Sequence, residues 1–271
     1  MFVPWKLSLW LQRWLPGFLL KPLKTAYTAH HAGVMRRMDA RLEIIAAQLF
    51  PTRPARVVAG PFQGMNYVGA SVGSALLPKL VGSYEVELSG AIEQMARHGY
   101  DRIFNVGCAE GYYAVGLALR SPQTTVFAFD LAPEAARLCR ELAELNGVAA
   151  RVVFSGACDP VKLNGMIEGD CAILCDCEGY EMTLLDPALA PRLKDVDMLV
   201  ELHGATDPKV SITGTLLQRF EPTHRSEIIP VVERDPSSYP VLQKLSPEDQ
   251  ALAINEFRAN TKEWGLWQHR C

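Results

Sequence analysis

The chain has no uninterrupted apolar run of the roughly 18 residues that a membrane-spanning helix needs, so no transmembrane segment is expected. Its seven cysteines are odd in number and lack the spacing of a small disulfide scaffold. That argues against a disulfide framework and for a reducing, cytoplasmic setting. Neither sign of charge dominates: 27 basic residues stand against 30 acidic ones, a formal net charge of −3. A chain of that balance is not built to capture nucleic acid by charge. No internal repeat or low-complexity tract occurs. Apolar material is ample, at 49 % of 271 residues with 21 % charged, enough for a buried core and too much for a disordered chain.

Acid is missing altogether from residues 1–38, which carry Lys6, Arg13, Lys21, Lys24, Arg36 and Arg37. The rest holds the remaining 21 basic and all 30 acidic residues, so the amino-terminal arm meets a different environment from the body. A signal peptide fits poorly, because Gln12, Arg13 and Pro16 break the apolar run and no small-residue cleavage site follows. On a helical projection Leu7, Leu11, Trp14, Leu15 and Phe18 share a face, with Lys6, Arg13 and Lys24 opposite. Tryptophans at 5, 10 and 14 beside lysines and arginine suit the interface between acyl chains and headgroups, which would place the protein peripherally on the inner face of a membrane. The same face would equally serve to cover the protein's own body or a second subunit. Pro16 is expected to kink or end such a helix.

Asp39 to Phe50 has helical spacing, with Leu42, Ile45, Ala46 and Leu49 on one face, and Pro51 and Pro54 stop it. Residues 57–82 show no period and read as a connecting layer with short extended pieces. Glu85 to Tyr100 is helical again. From there strands alternate with helices: RIFNV (102–106), TTVFAF (124–129), ARVVF (150–154), CAILC (171–175), DMLVEL (197–202), SEIIPVV (226–232) and a last, edge strand EWGLWQ (263–268). Between them lie the helical YYAVGLALR (112–120) and a helix from Pro133 that Gly147 stops, and Ser246 caps a late one. That alternation predicts a doubly wound α/β domain with a parallel sheet. The expected division is 1–82 as a helical extension and connecting layer, and 83–271 as the α/β domain.

Open α/β sheets bind ligands beyond the carboxyl ends of their strands. The turn after the first strand reads Asn105-Val106-Gly107-Cys108-Ala109-Glu110-Gly111-Tyr112. The dinucleotide fingerprint fails at Ala109, and no Gly-Lys-Ser/Thr of a phosphate loop follows. An acidic loop would repel a pyrophosphate, so Glu110 points to a ligand with a positive charge. Asp130 ends the second strand, where a carboxylate takes both hydroxyls of a ribose. A ribose with a cationic portion describes S-adenosylmethionine better than NAD or ATP. The plainer alternative is that these are ordinary turn glycines and a helix-start acid.

The pieces GSYEVEL (82–88), NVGCAEGYYAVGLAL (105–119), VFAFDLAPEA (126–135), LCDCEGYEMTLLD (174–186), MLVELHG (198–204) and NEFRANTKEWGLWQ (255–268) resemble class I methyltransferases of the FkbM type. The resemblance implies a Rossmann-like seven-stranded sheet with its last strand antiparallel, S-adenosylmethionine as cofactor, and O-methylation of a sugar, lipid-linked glycan or polyketide-like hydroxyl. It places the cofactor against Asn105, Gly107, Cys108, Ala109, Glu110, Gly111, Tyr112, Asp130 and Leu131, with Ala157 and Cys158 near the adenine. The chain departs from the family's first motif in two places, with Asn105 for the usual acid and Glu110 for the usual apolar residue.

The second constellation is Asp176-Cys177-Glu178-Gly179-Tyr180-Glu181, after the fourth strand. Three carboxylates so close are costly unless solvated, hydrogen-bonded or paired with a cation. Glu201 and His203 end the fifth strand and alternate onto one face. If the fourth and fifth strands are neighbours, Asp176, Glu178 and His203 meet in one cleft, where a carboxylate or imidazole takes an alcohol's proton. No Pro-Pro-aromatic clamp of the amino-methyltransferases is present, which favours oxygen. Against this stand a core histidine, helix-start charge for Glu178 and Glu181, a Mg²⁺ or Ca²⁺ site in the acids, and a catalytically silent binding protein on the same fold. Cys171, Cys175 and Cys177 read as buried small hydrophobes rather than a metal run, and Trp264 and Trp267 as packing.

Overall fold

The computed structural model describes residues 17–203, 211–258 and 263–270, and side chains from residue 33 onward. Two compact units form, one ending at Gln48 and the other running from Leu49. The described residues of the first lie in one long helix, α1 (Gly17–Leu49), which already includes Gly17 where the spacing predicts a start at Asp39. Residues 19–38 are rich in Leu, Ala, Met, Lys and Arg, which favour helix without needing a single apolar face, so periodicity alone misses them. The arm's expected amphipathic face rests on residues whose placement or side chains lie outside those described. No helix among the described residues is long and apolar enough to cross a membrane.

The second unit opens with a hairpin, β1 (Ala55–Arg56) against β2 (Asn66–Tyr67). A short helix α2 (Leu76–Val81) follows, inside the stretch expected to be irregular, and Gly82 ends it in the left-handed conformation. A 3₁₀ turn (Val86–Leu88) then leads into α3 (Ser89–His98).

Next come β3 (Arg102–Val106), α4 (Tyr112–Arg120), β4 (Thr125–Phe129), α5 (Pro133–Leu145) and β5 (Val152–Phe154). The chain continues through α6 (Pro160–Met166), β6 (Cys171–Cys175), α7 (Glu181–Leu184) and β7 (Asp197–Glu201). It closes with α8 (Ile212–Phe220), β8 (His224–Pro230), α9 (Pro247–Ala253) and β9 (Glu263–His269). Ser246 caps α9 by accepting from the Asp249 N–H.

These strands form a seven-stranded sheet in the order β5-β4-β3-β6-β7-β9-β8. Neighbours are parallel from β5 to β7, and β9 runs antiparallel to both β7 and β8. This is the Rossmann-like methyltransferase sheet that the resemblance implies. One expectation is corrected: β9 is not an edge strand but lies between β7 and β8. Its Trp264, Gly265, Leu266 and Trp267 are all buried, whereas β8 is largely exposed and carries Pro230, as an edge strand tolerates. Cys171 and Cys175 are buried in the core with Trp267, and Cys177 packs against it, as small hydrophobes do. Strand order reverses between β3 and β6, the point at which open α/β sheets bind ligands.

Candidate active site

At the carboxyl end of β3 the backbone turns through three positive φ angles, at Gly107 (77°), Ala109 (47°) and Gly111 (94°). Two glycines are required by contact as well as conformation. A Cβ on Gly107 would lie 1.6 Å from the Asp176 carbonyl oxygen, and one on Gly111 would lie 2.9 Å from Cys139 Sγ. The Gly107 and Cys108 N–H groups both donate to the Phe129 carbonyl, at 2.8 and 2.9 Å. Ala109 occupies its unfavoured conformation because Asp130 braces it: Oδ2 accepts the Ala109 N–H at 2.9 Å, and Oδ1 accepts the Ala132 N–H at 2.8 Å. Each carboxylate oxygen keeps a lone pair for a ligand hydroxyl. Leu131 beside it is 83 % exposed, Ala157 is exposed and Cys158 half-buried.

Four expected cofactor residues have side chains inside the body instead. Asn105, Cys108, Glu110 and Tyr112 are all buried. Tyr112 packs edge-on against Phe62 and Tyr84, with centroids 5.0 and 5.5 Å away. Glu110 does not offer its charge to a cationic ligand. Its carboxylate accepts from Lys79 Nζ at 2.5 Å, Tyr67 Oη at 2.6 Å, Ser71 Oγ at 2.8 Å and the Val72 N–H at 3.0 Å. Burial alone would raise its pKa, but Lys79 and these donors together hold it below the usual carboxylate range. The acid that replaces an apolar residue in the loop therefore has its own buried cation, supplied by α2.

The second constellation assembles as the strand order requires. β6 and β7 are parallel neighbours, and His203, two residues past β7, meets the acids that follow β6. Its Nε2 lies 3.6 Å from Asp176 Oδ1 and 3.4 Å from both Glu178 Oε2 and Glu201 Oε2, while Nδ1 lies 2.8 Å from Glu181 Oε1. Burial pulls the His203 pKa down, but Glu181, Glu201 and Glu178 outweigh it and raise the value above 6.5. Burial, reinforced by a hydrogen bond shared with Glu201, pushes the Asp176 carboxyl well up. Burial likewise acts to raise Glu181, yet the His203 hydrogen bond and backbone N–H donors bring it below its ordinary value. Glu178 is 86 % exposed and sits at φ 53°. Ligand atoms of Asp176, Glu178 and His203 also lie within 4.8 Å of one another. A proton on the ring, which the surrounding carboxylates favour, competes with any cation there.

Sequence reasoning did not foresee the residues behind this cluster. Arg258 bridges Glu201, at 3.1 Å, and the buried Glu85, which also accepts from Tyr113. Burial pushes the Glu85 carboxyl up to about 7 against the opposing pull of Arg258 and Tyr113. Their chain segments appear among the resembling pieces, but nothing in the spacing of residues 85, 201 and 258 announces a contact.

No model of a known protein family matches the chain. Two curated proteins are similar to part of it, both release factor glutamine methyltransferases. The one from Deinococcus radiodurans is 38 % identical over 79 residues, 29 % of this chain and 28 % of that protein. The one from Chlorobaculum tepidum is 32 % identical over 107 residues, 38 % of this chain and 36 % of that protein. The similarity thus spans only about a third of the relatives' own length. Among solved structures, an O-methyltransferase from Bacillus cereus in complex with SAH is 13 % identical, with 86 % of this chain and 90 % of that one covered and a TM-score of 0.45. A precorrin-6y C5,15-methyltransferase from Geobacter metallireducens is also 13 % identical, with 68 % and 87 % covered and a TM-score of 0.47.

Proposed function

We propose that the chain is a class I S-adenosylmethionine-dependent methyltransferase of the FkbM type, acting on a hydroxyl of a sugar, lipid-linked glycan or polyketide-like molecule. The observation that carries this reading is the direct packing of the two constellations: the Asp176 backbone lies against Gly107, and the Asp176 side chain lies 3.6 Å from His203. A ligand cradled by the turn and a hydroxyl lodged at His203 would be neighbours. The left-handed turn, the spare lone pairs of Asp130 and the open flank at Leu131, Ala157 and Cys158 fit a nucleoside. The methyltransferase names of the two partial relatives support the same class.

S-adenosylmethionine, when bound, supplies an electrophilic methyl on a sulfonium. The protein's part is to hold the acceptor in line and to take its proton as the new C–O bond forms and the C–S bond breaks. His203 is the base in this scheme, Nε2 receiving the hydroxyl proton. The acids around it stabilise the imidazolium that results. The relatives' names specify a glutamine. Oxygen is preferred here because Asp176-Cys177-Glu178-Gly179 follows β6 with no Pro-Pro-aromatic clamp. The test is to incubate the full chain with S-adenosylmethionine and a panel of hydroxyl acceptors and to assay S-adenosylhomocysteine. Binding without any turnover across the panel would favour the silent-protein alternative.

Asp130→Ala is expected to weaken S-adenosylmethionine binding by about 1.5–3 kcal/mol, the scale of charge-assisted hydrogen bonds left unmade. Part of that loss comes from the unbraced Ala109. Unchanged affinity in calorimetry would move the ribose elsewhere. For the basic arm, contact with an anionic membrane surface is part of the proposal. The full chain should co-sediment with anionic liposomes and be released by high salt, since each basic residue near such a surface contributes about 1 kcal/mol. Failure to co-sediment at low salt removes the membrane.

A further inference from the structure

Glu181 opens α7 and is completely buried, its side chain 0 % exposed. Its Oε1 meets His203 Nδ1 at 2.8 Å and accepts the Gly179 N–H at 3.1 Å, while Oε2 is buried with no hydrogen-bond partner among the described residues. Among the described residues no lysine or arginine neutralises it, and His203 is its one ion-pair partner. A carboxylate taken wholly out of water for the sake of a single imidazole is costly unless that contact is used. The arrangement also has a chemical consequence. An ionised carboxylate accepts hydrogen bonds and donates none, so the neutral ring must carry its proton on Nδ1. That leaves the lone pair on Nε2, the nitrogen facing Asp176, Glu178 and Glu201.

We infer that Glu181 is the positioning residue of the active site: it fixes the ring orientation and tautomer of His203 so that Nε2 is the atom that takes the acceptor's proton. The inference rests on the reading of His203 as the base. When that proton arrives at Nε2, the ring becomes an imidazolium held between Glu181 on one nitrogen and Asp176, Glu178 and Glu201 on the other. After the methylated product and S-adenosylhomocysteine leave, the proton passes to solvent and the Nδ1–H ring is restored. Glu181 itself never touches the substrate.

The test is Glu181→Gln in the full chain, which keeps the side chain's size and removes its charge. Circular dichroism and urea unfolding first establish that it folds. Nitrogen-15 spectra of the histidines then read the His203 tautomer and titration directly, with no acceptor needed. In the parent protein the neutral ring is expected as the Nδ1–H form, titrating above 6.5. In Glu181→Gln the titration should fall by about one unit or more, a step set by removing one adjacent charge, and the Nδ1–H population should drop. With an acceptor in hand, kcat should fall tenfold or more with KM little changed, since the contact acts on the transition state. The rising limb of the pH–rate profile should move to lower pH, and Glu181→Asp should restore part of the rate. An unmoved titration and tautomer in a folded Glu181→Gln protein would overturn the positioning role and leave His203 as the base. A moved titration with undiminished turnover in both Glu181→Gln and His203→Ala would overturn the base reading, and this inference with it.

Discussion

Lys79→Met is expected to destabilise the folded chain by about 3–5 kcal/mol, the cost of leaving a buried charge without its partner. The Lys79 and Glu110 side chains are 3 % and 0 % exposed, so water cannot take over the lost contact. The remaining donors to Glu110, from Tyr67, Ser71 and the Val72 N–H, are neutral and only soften the penalty. The double variant Lys79→Met with Glu110→Gln removes both charges and should recover most of the loss, because the two positions are directly coupled. Urea unfolding of the parent, the two single variants and the double variant measures this. An Lys79→Met protein as stable as the parent would mean that Glu110 accepts a proton on folding and that the pair is not ionic. The pH sign follows from the depressed Glu110 pKa: its contribution is complete above the unfolded value near 4.5 and is lost as pH falls through the lower folded value.

His203→Ala is expected to lower turnover by about 10²–10⁴-fold, the usual contribution of a general base. Affinity for S-adenosylmethionine should stay within about twofold, since the base acts mainly in the transition state. Glu178→Gln should cost much less, because that carboxylate is 86 % in solvent and only flanks Nε2. In the parent, the rate should climb as pH rises through the raised His203 pKa, since only the neutral ring accepts a proton. Steady-state kinetics with an identified acceptor, beside calorimetry with the cofactor, separate the two effects. Normal turnover by His203→Ala would make the residue structural, and its loss would then register as reduced stability alone.

The strands that build the site were legible because each is a short apolar run ending in turn chemistry. RIFNV and CAILC coincide with β3 and β6 to the residue, and their order places Gly107 against Asp176. The alternation of Glu201 and His203 likewise put both on the face where their side chains meet, 3.4 Å apart. The position of β9 was also within reach, since a strand buried on both faces belongs inside a sheet, but reading it as the last element suggested an edge. Other features left no local signal. Lys79 stands 31 residues from Glu110, on a six-residue helix in a stretch without period. The network of Arg258, Glu85 and Glu201 joins segments far apart in the chain that only the folded sheet brings together. Glu110 misled for the same reason: a carboxylate in a ligand-binding turn reads as free until its buried partner is known.

The central claim is that the turn from Gly107 to Gly111, braced by Asp130, holds S-adenosylmethionine. Titration calorimetry of the full chain with S-adenosylmethionine and, separately, with NAD tests it most directly. The account predicts saturable binding of S-adenosylmethionine at one site, weakened in Asp130→Ala, and no binding of NAD. Binding of NAD in its place, or S-adenosylmethionine affinity indifferent to Asp130, would contradict it.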